Sequence, residues 1–177
     1  MVQNTTVWRI TTARFAASAF SGEGARLYGG CWNPKGWPVV YTAQSQSLAL
    51  LELMVQDDPL RAHYVLIPAD LPADLAQTRV EAAQFPEDWR TLGTRDVLQR
   101  IGQAWLEEAR TAVLNVPSAV LPAERNLLLN PRHPDFSRIQ IGQPQSLQTD
   151  TRLLRNLAPL PPTPARPGVV GPAAAQR

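Results

Sequence analysis

The segment SQSLALLELMVQ, residues 45–56, constrains the fold of this chain more than any other stretch. Its serines suit an N-cap, good helix formers follow, and Asp57-Asp58-Pro59 stops the run, so the sequence predicts a helix reaching Gln56. On that helix the same-face neighbours of Glu52 are Leu48, Ala49, Val55 and Gln56, while Leu50, Leu51, Leu53 and Met54 make the other faces apolar. A helix that is greasy on almost every side has to be buried. Its carboxylate is then desolvated, which is costly unless an arginine or a set of hydrogen bonds answers the charge. Position alone leaves two readings of Glu52 open, a structural ion pair or a catalytic acid.

Strand patterns surround this helix. TTVWRITT alternates apolar and polar residues, and WPVVYTA follows a turn at Asn33-Pro34-Lys35-Gly36. HYVLIPADLP reads as a strand ending at Pro68, AVLNVPSAVL and NLLLN as short strands broken by Pro117 and Pro122, and SRIQIGQPQSL as a final alternating strand. A second helix is expected in TRDVLQRIGQAWLEEARTA, whose Val97, Leu98, Ile101, Trp105 and Leu106 fall close to one face. The class is therefore α+β, a mixed and mostly antiparallel sheet with flanking helices. A chain of 177 residues has room for one domain, placed at 1–157; the proline- and alanine-rich tail 158–177 buries too little surface to order itself.

Composition excludes several functions. The net charge of +2 is misleading, because Arg152, Arg155, Arg166 and Arg177 lie in an acid-free terminus and residues 1–150 are net −2. No lysine and arginine stripe exists to release counterions from a phosphate backbone, so no direct nucleic-acid binding is expected. No apolar run is long enough for a bilayer and MVQNTTVWRI lacks the zones of a secretory signal, so the expectation is a cytoplasmic protein without membrane association. One cysteine makes no internal disulfide, and Cys31 with His63 and His133 has no metal-ligand spacing.

SGEGARLYGGCWNPKGWPVVYTA, residues 21–43, is rich in glycine but matches neither a dinucleotide fingerprint nor a phosphate loop. It brings Arg26, Tyr28 and Trp32 to a permissive backbone between two strands, as a ligand-approaching loop does, although turns alone would use the same glycines. A nucleophilic role for Cys31 needs a histidine base, and neither histidine lies in a cysteine-hydrolase context.

The ordered blocks WRI, SGEGARLYGG-WNPKG, VVYTA, SLALLE and LNVPSAVLPAERNLLLNP, from about Trp8 to about Ile141, resemble the RES-domain family. That resemblance implies an ADP-ribosyltransferase-like fold and a toxin of a bacterial toxin-antitoxin pair that depletes NAD, which is substrate and not cofactor. Arg9 looks like the first family arginine, Tyr41 like its tyrosine, Glu52 its glutamate and Ser118 its serine. Cys31 stands where the family has a further arginine, which implies a weakened or inactive enzyme. Arg9, Cys31, Tyr28, Trp32 and Arg26 would line the NAD side of the pocket, and Glu52, Tyr41 and Ser118 would do the chemistry. The alternatives are ADP-ribose transfer to a protein, or a catalytically dead subunit that binds the antitoxin. The implied partners are an Xre-type antitoxin, which would block the pocket with a carboxylate on Arg9, and a second toxin copy.

Overall fold

Alternating strands and the apolar helix meet in one curled sheet in this computed structural model, which describes residues 4–57, 59, 62–150 and 152. The strands are β1 (Thr5–Thr12), β2 (Val40–Ala43), β3 (Tyr64–Leu71), β4 (Gln77–Arg79), β5 (Val113–Pro117), β6 (Arg125–Leu129), β7 (Gln140–Ile141) and β8 (Gln145–Ser146). The helices are α1 (Glu23–Tyr28), α2 (Gln46–Gln56) and α3 (Arg95–Glu108). The sheet order is β4-β5-β6-β2-β1-β3-β7, with β8 also on β3, and only the β4 and β5 pair is parallel. The α+β class and mostly antiparallel sheet expected from the sequence are those observed. The tail expected from residue 158 lies outside the described residues.

Period-two alternation sorts the core onto two faces. Val7, Val40, Ile67, Val113, Leu127 and Leu129 pack with Phe20 and Ile139 on one side. Leu114, Val116 and Leu128 pack on the other against Leu98, Trp105 and Leu106 of α3, with Trp32 and Trp89 completing the cluster. The aliphatic side chains buried here contribute about 1.5–3 kcal/mol each. α2 sits over β1 and β2, burying Leu48 and Ala49 against Ala43, Trp8 and Ile10.

Four elements differ from the sequence reading, one of them β4, which pairs in parallel with β5 where the sequence reading placed no strand. β3 continues through Pro68 to Leu71. Pro68 sits opposite Trp8, and its carbonyl accepts from Gly142 N on the other side, between the end of the β8 pairing at Leu66 and the start of the β7 pairing at Ala69. The missing N–H faces that interruption, so the proline removes no bond to β1. The final strand is two short strands, β7 and β8, because the chain crosses Pro68 at Gly142, where a Cβ would stand 2.7 Å from the proline ring. The glycine-rich segment contains the six-residue helix α1, entered through Gly22 at φ 72° and left through Gly29 at φ 73°.

Helix α3 approaches the glycine-rich loop through Gly102, which is buried; a Cβ there would lie 1.8 Å from the Trp32 carbonyl oxygen. Alanine favours helix by about 1 kcal/mol over glycine, but here it has to push α3 off the loop backbone. Gly102→Ala is expected to destabilise the fold by about 2 kcal/mol net; a denaturant titration with a lower midpoint at unchanged slope checks this, and an unchanged midpoint contradicts the packing.

Candidate functional site

β1 and β2 are sheet neighbours, yet they share one register pair, Trp8 opposite Ala43. Where their ladder stops, the Arg9 guanidinium reaches across and Nη1 donates to the Tyr41 carbonyl at 2.9 Å. The parting opens a cleft of about 140 Å³ between β1, β2, α2 and β6, lined by Arg9, Tyr41 and Glu52 together with Trp8, Ile10, Thr42, Ala43, Ala49, Leu53, Gln56 and Asn126.

Among the described residues, Glu52 is answered by neutral donors and not by a cation. Its Oε1 accepts from Ser118 Oγ at 2.8 Å and from Asn126 Nδ2 at 2.5 Å. Helix α2 presents it from a fixed start, since the Ser45 hydroxyl accepts from Leu48 N at 3.1 Å as N-cap and donates to Glu124 at 2.9 Å. Gln44 and Arg125 exchange two further bonds at 3.0 Å, tying that same end to β6.

Arg9 is the opposite case. Its Nε is buried without a hydrogen-bond partner, and burial alone lowers its pKa to about 10. The group remains a cation at neutral pH, held where no carboxylate of the described residues pairs with it. The Tyr41 hydroxyl is committed elsewhere: it donates to Asn33 Oδ1 at 2.6 Å and accepts from Trp32 N at 3.1 Å, and desolvation pushes its pKa up. It pins the glycine-rich loop from inside.

That loop is held firmly. Asn33 is fully buried and its Nδ2 donates to the carbonyls of Ala25, Pro34 and Trp37 at 2.9–3.0 Å. Gln99 of α3 donates to the carbonyls of Gly30 and Asn33 at 2.8 and 3.1 Å, and Arg95 Nε donates to Gly30 at 3.2 Å. Position 30 has to be glycine, because a Cβ would collide with the Tyr41 hydroxyl at 2.2 Å.

The other residues singled out in the sequence do not line the cleft. Arg26 is ion-paired with Glu23 on α1, Tyr28 is 77% exposed, and Trp32 is buried edge-on against Phe85. Cys31 is exposed; desolvation raises its thiol pKa, with Arg95 opposing and Glu52 reinforcing the shift, so the sulfur is a neutral thiol at physiological pH. Sequence reasoning missed Asn126, which opens an apolar run, and Asn33, which read as an ordinary turn residue. Among the described residues no group of three or more His, Cys, Asp or Glu side chains is arranged to hold a metal, and no helix is long and apolar enough to cross a membrane.

A half-buried guanidinium that no carboxylate of the described residues pairs with, and a clamped carboxylate, meet at the parting of two strands and define an α+β protein with a cleft suited to an anionic ligand. The chain belongs to the RES-domain family, whose RES domain matches residues 6–150. It is 36% identical over 152 residues to "Toxin Res" of Photorhabdus laumondii, covering 84% of this chain and 97% of that protein. It is 37% identical over 157 residues to the "Prs ADP-ribosylating toxin" of Sphingobium sp. strain YBL2, covering 85% and 98%. Its fold matches the toxin in the crystal structure of the M. tuberculosis MbcT-MbcA toxin-antitoxin complex, with TM-score 0.68, 24% identity and coverage of 83% and 86%.

The lowered Arg9 pKa has a definite sign. A base whose folded pKa lies below its unfolded value destabilises the native state while charged, fully so at neutral pH, and the penalty fades only as pH rises through about 10. Arg9→Met is therefore expected to raise stability at pH 7 by about 1–3 kcal/mol, with a smaller gain when the melts are repeated above pH 10. A loss of stability at pH 7 would mean that the guanidinium is compensated after all.

Proposed function

We propose that this chain is the toxin of a toxin-antitoxin pair and that its cleft cleaves NAD at the nicotinamide-ribose bond. The observation that carries this reading is the meeting, in one cleft, of the unpaired Arg9 guanidinium and the Glu52 carboxylate. A dinucleotide supplies what each lacks. Its pyrophosphate offers the anion that a guanidinium fork matches, and its ribose develops positive charge as the bond to nicotinamide breaks. The bonding pair leaves with the nicotinamide nitrogen, charge spreads over the anomeric carbon and ring oxygen, and a carboxylate beside them stabilises that state. Water then adds to the anomeric carbon and releases a proton, giving ADP-ribose; phosphate can take the place of water.

The relatives named as toxins support the class, and the Sphingobium relative's name favours a second reading, transfer of ADP-ribose to a protein nucleophile. The MbcT-MbcA complex supports an antitoxin partner. An Xre-type antitoxin and a toxin dimer follow from the family resemblance. Position 31 bears on rate: the thiol is neutral where the family resemblance places an arginine, which leaves Arg9 as the one cation among the cleft-lining residues. We propose that turnover is slow for that reason, and the catalytically dead, antitoxin-binding subunit is the limit of the same reading.

NAD labelled in the nicotinamide and adenine halves separates these outcomes. Purified chain is expected to release nicotinamide slowly, Cys31→Arg to release it roughly 30-fold faster, and Glu52→Gln to reduce either to background. Arg95 already lies against Gly30 and repels a second cation, which limits the gain. Adenine label on a macromolecule indicates transfer, and free ADP-ribose indicates hydrolysis. No gain from Cys31→Arg removes the missing-arginine account; no nicotinamide from any variant removes the NAD reading.

A further inference from the structure

The family resemblance gives Ser118 a place in the chemistry, but its hydrogen bonds leave nothing for a substrate. Ser118 is fully buried and does not line the cleft. Its Oγ accepts from Val120 N and from Leu121 N, both at 3.0 Å, and an amide can only donate. Both hydroxyl lone pairs are used. The remaining proton goes to Glu52 Oε1 at 2.8 Å, which as a carboxylate oxygen can only accept. Asn126 approaches the same oxygen at 2.5 Å, and the same rule fixes which end of its amide faces Glu52, the NH2.

We infer that Ser118 and Asn126 are positioning residues that act through Glu52: two neutral donors hold Oε1, and Oε2 is the oxygen offered to the ligand. Asn126 lies on β6 opposite Ala43 of β2 and Val116 of β5, so its amide is placed by ladders on both sides. Ser118 follows β5 directly, with its own N–H bonded to the Glu124 carbonyl at 2.9 Å. The β5–β6 hairpin thus holds the head of the carboxylate while α2 holds its stem, and the carboxylate does not have to reorient when positive charge develops beside it. Neither donor is charged, so the clamp orients Glu52 without neutralising it.

This inference rests on the NAD reading for the identity of the ligand, not for the clamp. The discriminating variant is Asn126→Asp, which keeps the side-chain shape but turns an acceptor oxygen toward Oε1. A packing role predicts that Asp resembles the parent and Ala is harmed; the clamp predicts that Asp is at least as harmful as Ala. Full-length parent, Asn126→Asp, Asn126→Ala and Ser118→Ala are compared by crystal structure and by nicotinamide release from NAD. The expected result is a Glu52 carboxylate displaced in the Asp variant, with kcat lowered roughly tenfold or more and KM within about threefold. An Asp variant with the parent's Glu52 position and kcat overturns the inference, as does a ligand-bound structure with Ser118 Oγ on the ligand. If neither the parent nor Cys31→Arg releases nicotinamide, the NAD reading falls alone, and the clamp stands or falls on the position of Glu52 in the variants.

Discussion

The shared oxygen of Glu52 is the contact on which the rest of the site depends. A carboxylate in an apolar helix needs partners, and the fold supplies Ser118 and Asn126 in place of an arginine. Neutral donors satisfy part of the desolvation demand but leave the negative charge in place. The available cation, Arg9, lines the same cleft and is left unpaired. Direct pairing of the two would stabilise the empty protein and close the site to the dinucleotide of the proposed reaction, which carries both an anion and a developing cation. Keeping them apart stores a local penalty that the proposed ligand would relieve on binding.

The backbone arrangement follows from that separation. If the β1 and β2 ladder ran its full length, main-chain bonds would fill the gap that the Arg9 guanidinium now enters. The ladder stops after Trp8, Arg9 takes up the Tyr41 carbonyl, and the sheet stays joined through the eight-residue pairing of β1 with β3 and the pairing of β2 with β6. Tyr41 serves both sides of this arrangement. Its carbonyl anchors Arg9 in the cleft, and its hydroxyl anchors the glycine-rich loop through Asn33 and Trp32.

Much of this was legible in the sequence wherever local chemistry decided the outcome. The alternation of β1 and the apolar face of α3 reflect burial on one side of an element, whereas α2, expected to be buried because almost every face is apolar, buries only Leu48 and Ala49 and leaves Val55 exposed, since the sheet covers just one side of it. What was hidden depended on distant partners. Asn126 looked like one polar residue opening an apolar run, and only the register of β6 against β2 turns it toward α2. Pro68 looked like a strand end because a local rule cannot see that its missing N–H meets a gap between β8 and β7. The glycine-rich segment looked flexible by composition, yet its glycines serve close approach: Gly30 makes room for a tyrosine hydroxyl, and a buried asparagine with Gln99 fixes the rest.

A loop held this tightly makes the identity of one residue matter. Cys31 follows a glycine whose carbonyl is fixed by Gln99 and Arg95, and precedes a tryptophan whose N–H is fixed by Tyr41. Its side chain therefore emerges in a set direction, within electrostatic reach of Glu52. A neutral thiol there adds no charge to a cleft that has Arg9 for its cation, whereas a guanidinium at that point would act on the same ligand from the loop side. The bonds that set the loop geometry run through Gly30, Asn33, Tyr41 and Gln99, so under the proposed missing-arginine reading a cysteine at 31 lacks the charge while the scaffold that would present it is in place.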